Sequence, residues 1–519
     1  MLVAMASLDV GSRTAHQHVA APESPRLWAG QASTSASAGG GVAWPRWRRW
    51  WVQLLLLFVG GAVVIGFVVA GPGQGVPAGA RLTLVVFVAA VVLWAATRVD
   101  ETLVALVAAL VLVLAGVLDR DRLFASLGDQ TIWLLVAAFV LAAGVSATGL
   151  PTRVAAALIG RASSVRQLVH LVTMALTLTA FAVPATSGRA ALAVPVFVAL
   201  ARVLADRPRV VRALALLFPT VILLSAVSTL IGAGAHLVTN QILAATTGQT
   251  IGFAQWLLLG LPLAVLSAHA AAEVVLALFT RAVDRRTSVR ICAADIGGDA
   301  PTRVTGPLTG AEQRAAAVLA AVVVAWCTEG LHGLSPALVA LAGALVLSAP
   351  GWGTVKLGDG VHSVPWSLLL FMAGTGALGA ALTTSGATEW LAGAVFGPLR
   401  GGSPVGFLAV VVALSVAAHL LVQSRTARSS VLVPLVVPAA IAMGLNPVAV
   451  AFASTAAAGF CHTLTSSAKP VAMFARLDGL PTYDRVDLLR LSVWLAPMTA
   501  VLVLLCSLFL WPHLGLPLR

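Results

Sequence analysis

Ser424-Arg425-Thr426-Ala427-Arg428-Ser429-Ser430-Val431-Leu432-Val433-Pro434 sets two arginines and a run of hydroxyls between long apolar segments. An upstream stretch, Thr186-Ser187-Gly188-Arg189-Ala190-Ala191-Leu192-Ala193-Val194-Pro195, matches it. Arg189 aligns with Arg428, Pro195 with Pro434 and Ser187 with Thr426 at one common offset. A charged tip repeated inside apolar surroundings points to two copies of one membrane-embedded unit. A guanidinium at the bilayer centre costs roughly 2.5 to 3.5 kcal/mol on insertion scales, so three of them and a lysine oppose insertion by about 10 kcal/mol. A bound anion would offset that cost.

The composition agrees with a membrane setting. The chain has 519 residues, 59% of them hydrophobic and only 10% charged, with a mean hydropathy of +0.97. That excludes a soluble globule and a disordered chain. Apolar runs long enough to cross a hydrocarbon core of about 30 Å recur along the sequence, and strand-type alternation is absent. The net charge of +13 comes from arginines dispersed through short loops, which argues for membrane orientation and against nucleic acid. Cys292, Cys327, Cys461 and Cys506 have neither zinc-ligand nor disulfide-framework spacing. No cofactor or metal motif is read.

Residues 1–45, rich in Ala, Ser and Gly, are expected to form a disordered tail. Trp44, Trp47, Trp50 and Trp51 interleaved with Arg46, Arg48 and Arg49 form an interfacial anchor. Expected spans follow at about 52–70, 82–97, 102–118 and 131–149. A hairpin at about 165–204 has its tip at Pro184–Arg189, a helix at about 213–243 is broken at Ser228–His236, and a span covers about 253–280. Arg153, Arg161 and Arg166 precede the hairpin and Arg202, Arg207, Arg209 and Arg212 follow it, which puts both ends on one side and makes it re-entrant. After a polar cytoplasmic linker at 281–312, the second half repeats the pattern. Spans lie at about 315–328, 335–349 and 366–386, a hairpin at about 405–443, a helix broken at His462–Pro470 over about 447–474, and a last span at about 489–511. Gly234-Ala235-His236 aligns with Ser467-Ala468-Lys469, which makes His236 and Lys469 a second symmetric pair.

The expected fold is therefore an all-α polytopic membrane protein. It has two inverted repeats, 46–280 and 313–519, about eleven transmembrane helices, two re-entrant hairpins and two broken helices. The basic residues place the amino terminus in the cytoplasm, the first hairpin on that side and the second outside. Broken helices meeting near the midplane are how many secondary transporters bind their cargo. Arg189 and Arg428 lie at the amino-terminal ends of the returning arms, where the helix dipole also favours an anion. Thr186, Ser187, Ser424 and Thr426 can donate to it or cap helix ends. Lys469 and His236 extend the cationic ring, and His236 is the candidate proton-coupling group. Glu273 and His269 share one face of the sixth span, either as a proton relay or near the inner surface.

The paired tips with their proline-containing arms and the Ser228-Thr229-Leu230-Ile231-Gly232 break resemble the divalent anion:sodium symporter family, the dicarboxylate, citrate and sulfate carriers of the ion transporter superfamily. The resemblance covers about residues 52–512. It implies a small anionic substrate, elevator-type movement of the hairpins and broken helices, and a homodimer in the cell membrane. In that family each tip carries Ser-Asn-Thr around a sodium ion. Here the second signature falls on Ser424-Arg425-Thr426 and the first on Ala185-Thr186-Ser187, so Arg425 stands where Asn would help bind sodium. The expectation is a sodium-independent carrier, with a sodium-coupled anion symporter as the alternative. A cation or proton exchanger would need a carboxylate in the hairpins or breaks, and none is present. A membrane-embedded enzyme would need a nucleophile elbow, an H-E-x-x-H pair or an Asp-rich metal motif, and the sequence has none of these.

Overall fold

The computed structural model describes residues 77–97, 99–297, 304–388, 390, 402–465, 467–477 and 479–519. The tail, the Trp and Arg anchor and the expected first span lie outside the described residues. In the first half, α1 (Ala78–Ala96), α2 (Glu101–Leu114) and α3 (Gln130–Ala147) precede α4 (Leu150–Ile159). A helix pair follows, α5 (Val165–Ala182) and α6 (Thr186–Val203), then α7 (Pro208–Leu224), a break, α8 (Gly234–Thr247) and α9 (Phe253–Phe279). The second half runs α10 (Gly310–Cys327), α11 (Pro336–Leu347) and α12 (Trp366–Thr384). A second pair, α13 (Pro404–Ala417) and α14 (Arg425–Ala442), leads to α15 (Pro447–Ala457), a second break, α16 (Lys469–Ala475) and α17 (Arg485–Leu505). Among the described residues, 10 helices are long and apolar enough to cross a membrane. The chain is an all-helical polytopic membrane protein.

Local sequence sets the helix ends. Asp100 accepts from the amides of Thr102 and Leu103 to start α2, Ser164 caps α5, and Thr309 with Glu312 forms a capping box at α10. Gly149 and Gly248 turn the chain at φ 76° and 69°, in the left-handed region where glycine carries no Cβ penalty. Helix α7 stops at Leu224 and gives way to 3-10 turns at Ser225–Ser228 and Leu230–Gly232. Only glycine fits at 232, because a Cβ there would lie 2.1 Å from the Ala226 carbonyl oxygen.

Several helix pairings recur symmetrically among the described residues. Helix α3 packs on α11 as α12 packs on α2, α6 on α7 as α14 on α15, and α5 on α9 as α13 on α17. The post-break helices cross over: α8 lies on α14, and α16 lies on α6. Helices α6 and α14 have 18 residues each, with the tip arginine at the fourth position and the proline at the tenth. Both arms of the first pair qualify by length as crossings, so the basic flanks, and not the length, support a re-entrant path. The broken helix is innermost: 94% of the α7 stretch is buried, against 22% of α10.

Residues 150–159, expected as part of a basic connection, instead form α4. Arg153 is not a solvated flank: its Nε donates to Glu312 Oε1 at 2.6 Å and its Nη1 to the Gly306 carbonyl at 2.7 Å. Burial makes pairing obligatory for both charges. The end of the central linker is thereby fastened to α4. Helix α17 starts at Arg485, earlier than the expected 489, because Asp484 and Asp487 form a capping box there.

Candidate functional site

The two tip arginines occupy equivalent helical positions and are both fully buried. Arg189 donates from Nε to Thr179 Oγ1 at 2.9 Å, from Nη1 to the Ile222 carbonyl at 3.0 Å, and from Nη2 to the Leu176 carbonyl at 2.6 Å and Ser225 Oγ at 2.7 Å. Arg428 donates from Nη1 to the Phe460 carbonyl at 3.0 Å and from Nε to the Ser424 carbonyl at 3.4 Å, while Nη2 has no partner. A break in a helix leaves its last carbonyls without amide partners, and the carboxyl-terminal end of the dipole favours a cation. Each arginine therefore braces the broken helix of its own half. The cavity beside Arg189 measures about 30 Å³ and is lined mainly by apolar groups such as Pro151, Leu176 and Phe218. That is room for about one water, so the geometry gives Arg189 a bracing role where the sequence suggested anion contact.

Arg425 has no counterpart, since Thr186 fills the equivalent position. Its side chain crosses between the halves. Nη1 reaches the Leu223 carbonyl at 3.4 Å, one residue from the carbonyl that holds Arg189. Nη2 lies 3.3 Å from the point a Cβ on Gly459 would take, at the start of the second break, and Nε has no partner. One guanidinium thus sits between the ends of both broken helices with most of its donors unengaged.

The tip hydroxyls are placed as follows. Thr186, Ser187 and Thr426 are half-buried, and their side chains make no hydrogen bond among the described residues. Thr426 Oγ1 lies 3.2 Å from where a Cβ on Gly234 would stand, so the second tip touches the start of α8. Ser424 caps the Ala427 amide at 3.3 Å, and the Glu101 carboxylate lies close enough for the two side chains to act on one another. Glu101, on α2, is the acidic neighbour that sequence reading missed. Nothing in the order of residues links it to a tip more than three hundred positions away.

The breaks align differently from the sequence match. Ala233, preceding α8, has φ −156° and ψ 147°, and Ala468, preceding α16, has φ −156° and ψ 148°. Gly234 is therefore the counterpart of Lys469, and His236 that of Val471. Lys469 is exposed and lies near Glu101, which bears on it electrostatically. His236 is fully buried, with its ring 4.8 Å from that of Trp256, Nδ1 3.0 Å from the Thr229 carbonyl, and Nε2 without a partner. Trp256 in turn donates to the Val227 carbonyl at 3.0 Å, which holds the first break against α9. Glu273 and His269 lie apart from this centre: Glu273 pairs with Arg166 at 2.8 Å and His170 at 2.7 Å, and His170 meets His269 at 2.9 Å.

The first tip is strained. Ala185 has φ 71° and ψ 134°, and it is the one non-glycine at positive φ among the described residues. Such backbone costs about 1 to 3 kcal/mol for a residue with a Cβ. Ala185→Gly is expected to stabilise the protein by about 1 kcal/mol once the entropy of glycine is subtracted. Thermal unfolding in detergent checks this, and a lower melting temperature would show that the tip does not hold the strain.

Against this geometry, the profile described as the sodium:sulfate symporter transmembrane region matches residues 48–516. A membrane protein of Cupriavidus necator is 24% identical over 320 residues, 60% of this chain, and the chain spans 61% of that relative's length. Two solved structures share the fold. The YdaH transporter of Alcanivorax borkumensis has a TM-score of 0.51 at 16% identity, over 85% of this chain and 99% of its own. MtrF of Neisseria gonorrhoeae, described as one of a class of antimetabolite efflux pumps, has a TM-score of 0.51 at 13% identity, over 86% of this chain and 96% of its own. With nearly its whole length matched and its tips, breaks and exchanged pairings in place, the chain belongs to the sodium:sulfate symporter family.

Proposed function

We propose that the protein is a secondary transporter, not an enzyme, which moves a small divalent anion such as sulfate or a dicarboxylate across the cell membrane without sodium. The observation that supports this reading is Arg425, a guanidinium lodged between the two helix breaks with, among the described residues, Nε unpartnered and a single long bond, to Leu223. Carbonyls freed at such breaks are what hold coupling cations in broken-helix transporters, and here a tethered cation lies among them. The anion would be received by Arg425, the buried and unpartnered Nη2 of Arg428 and the hydroxyls of Thr186, Ser187, Ser424 and Thr426, with Lys469 at the exposed edge. Helices α5–α8 and α13–α16 contain no Asp or Glu, and Glu101 of α2, beside Ser424 and Lys469, is the acidic group the anion would have to displace.

His236 is the proposed proton-coupling group. Its burial comes first and the charge of Arg425 second among what acts on it, and an anion that neutralises the arginine would remove the second. Proton uptake would then accompany anion binding. The two helix pairs and broken helices would move as one block against α1, α2, α10 and α11. A homodimer through that scaffold and a cytoplasmic amino terminus complete the proposal. Family resemblance supports the movement and the dimer, and the basic loops support the orientation.

The test is uptake into proteoliposomes of radiolabelled sulfate, succinate, citrate and phosphate, each with and without a proton gradient. Saturable uptake of at least one, lost in Arg425→Gln, is expected. Uptake of none of them above that of protein-free liposomes would overturn the reading.

A further inference from the structure

Away from the tips, the starts of α7 and α17 and the end of α9 enclose a cleft of about 340 Å³ lined by Pro208, Arg209, Arg212, Phe279, Asp487 and Arg490. Its size falls within the roughly 300 to 1,000 Å³ of small-molecule sites. Three guanidiniums face one carboxylate. Arg212 Nη1 lies 3.9 Å from Asp487 Oδ2, a loose pair, and that same oxygen already accepts from the Asp484 amide at 3.3 Å. Arg209 has no ion-pair or hydrogen-bond partner among the described residues. The Arg490 guanidinium lies 5.8 Å above the centre of the Phe279 ring, an arrangement that fixes the plane and leaves its N–H edges open.

The cleft also opens onto an apolar stripe. Val486, Arg490, Val493 and Trp494 share one face of α17, and the three apolar residues are 69%, 70% and 57% exposed. In a membrane protein such a stripe faces acyl chains. A soluble phosphate would use the arginines and ignore the stripe, whereas a phospholipid engages both. We propose that Arg209, Arg212 and Arg490 bind the phosphate of an anionic phospholipid whose chains lie along α17. This site is separate from the tips and does not depend on the transported ion.

Arginines that serve only to orient helices attract anionic headgroups diffusely and interchangeably, whereas a built site depends on its own three arginines, and that difference provides the test. Purified protein in detergent is titrated with phosphatidylglycerol, phosphatidylcholine or inorganic phosphate, and adducts and melting temperature are read by native mass spectrometry and thermal shift. Phosphatidylglycerol is expected to bind and stabilise. Its affinity should fall roughly a hundredfold in the R209Q/R212Q/R490Q triple variant. An R120Q/R122Q variant, altered on the exposed helix Arg120–Ala125, should bind as the parent does. Equal stabilisation by phosphatidylcholine, or undiminished binding in the triple variant, would overturn the site. Stabilisation by inorganic phosphate alone would overturn the lipid assignment.

Discussion

Arg425→Asn should lose sodium-independent uptake and gain uptake that sodium stimulates. The substitution removes a fixed positive charge from between the two breaks and supplies a side-chain carbonyl at the position where the family carries Asn. A sodium ion placed about 4 Å from the guanidinium is opposed by roughly 4 kcal/mol at an effective dielectric near 20, which is about three decades in affinity. Removing the arginine lifts that barrier. The Leu223 carbonyl, 3.4 Å from Arg425 in the native protein, would be available to the ion. Arg425→Lys keeps the charge but not the planar fork, so it should stay sodium-independent with weaker anion affinity. If Arg425→Asn transports as the native protein does and ignores sodium, the arginine is not standing in for an ion.

Arg189→Gln is expected to act on folding rather than on transport. The guanidinium holds four acceptors across α5, α7 and the first break. Hydrogen bonds to charged groups contribute about 1.5 to 3 kcal/mol each, and an orphaned buried acceptor costs about 1 to 3 kcal/mol. Glutamine recovers part of this, which leaves a loss of about 3 kcal/mol. A clear drop in melting temperature is predicted, with apparent KM unchanged for whatever protein folds. A large rise in KM at unaltered stability would instead make Arg189 an anion contact.

Much of this was legible in the sequence because the relevant signals are local. The tip arginines and prolines recur at one offset, and α6 and α14 begin and end at that same offset. Hydroxyl and glycine clusters marked both breaks, and capping residues set the ends of α2, α5 and α10. The match of His236 to Lys469 missed by two residues because it aligned similar letters, whereas the register is set by the extended backbone at Ala233 and Ala468. Arg153 read as a loop cation because its partner, Glu312, lies beyond the five helices α5–α9. Glu101 beside Ser424, and the Thr239 and Thr455 hydroxyls that meet at 2.6 Å between α8 and α15, were hidden for the same reason. What Arg425 does could not be read from its position alone, since its meaning rests on two carbonyl-rich breaks converging around it.

The most direct test of the proposed mechanism replaces external sodium by choline while the initial rate of uptake is measured in proteoliposomes, using whichever of sulfate, succinate, citrate or phosphate the native protein transports. Equal rates in the two salts are predicted, because Arg425 already occupies the space between the breaks that a coupling ion would need. A drop of about tenfold or more in choline, equivalent to about 1.4 kcal/mol and reversed by millimolar sodium, would contradict it.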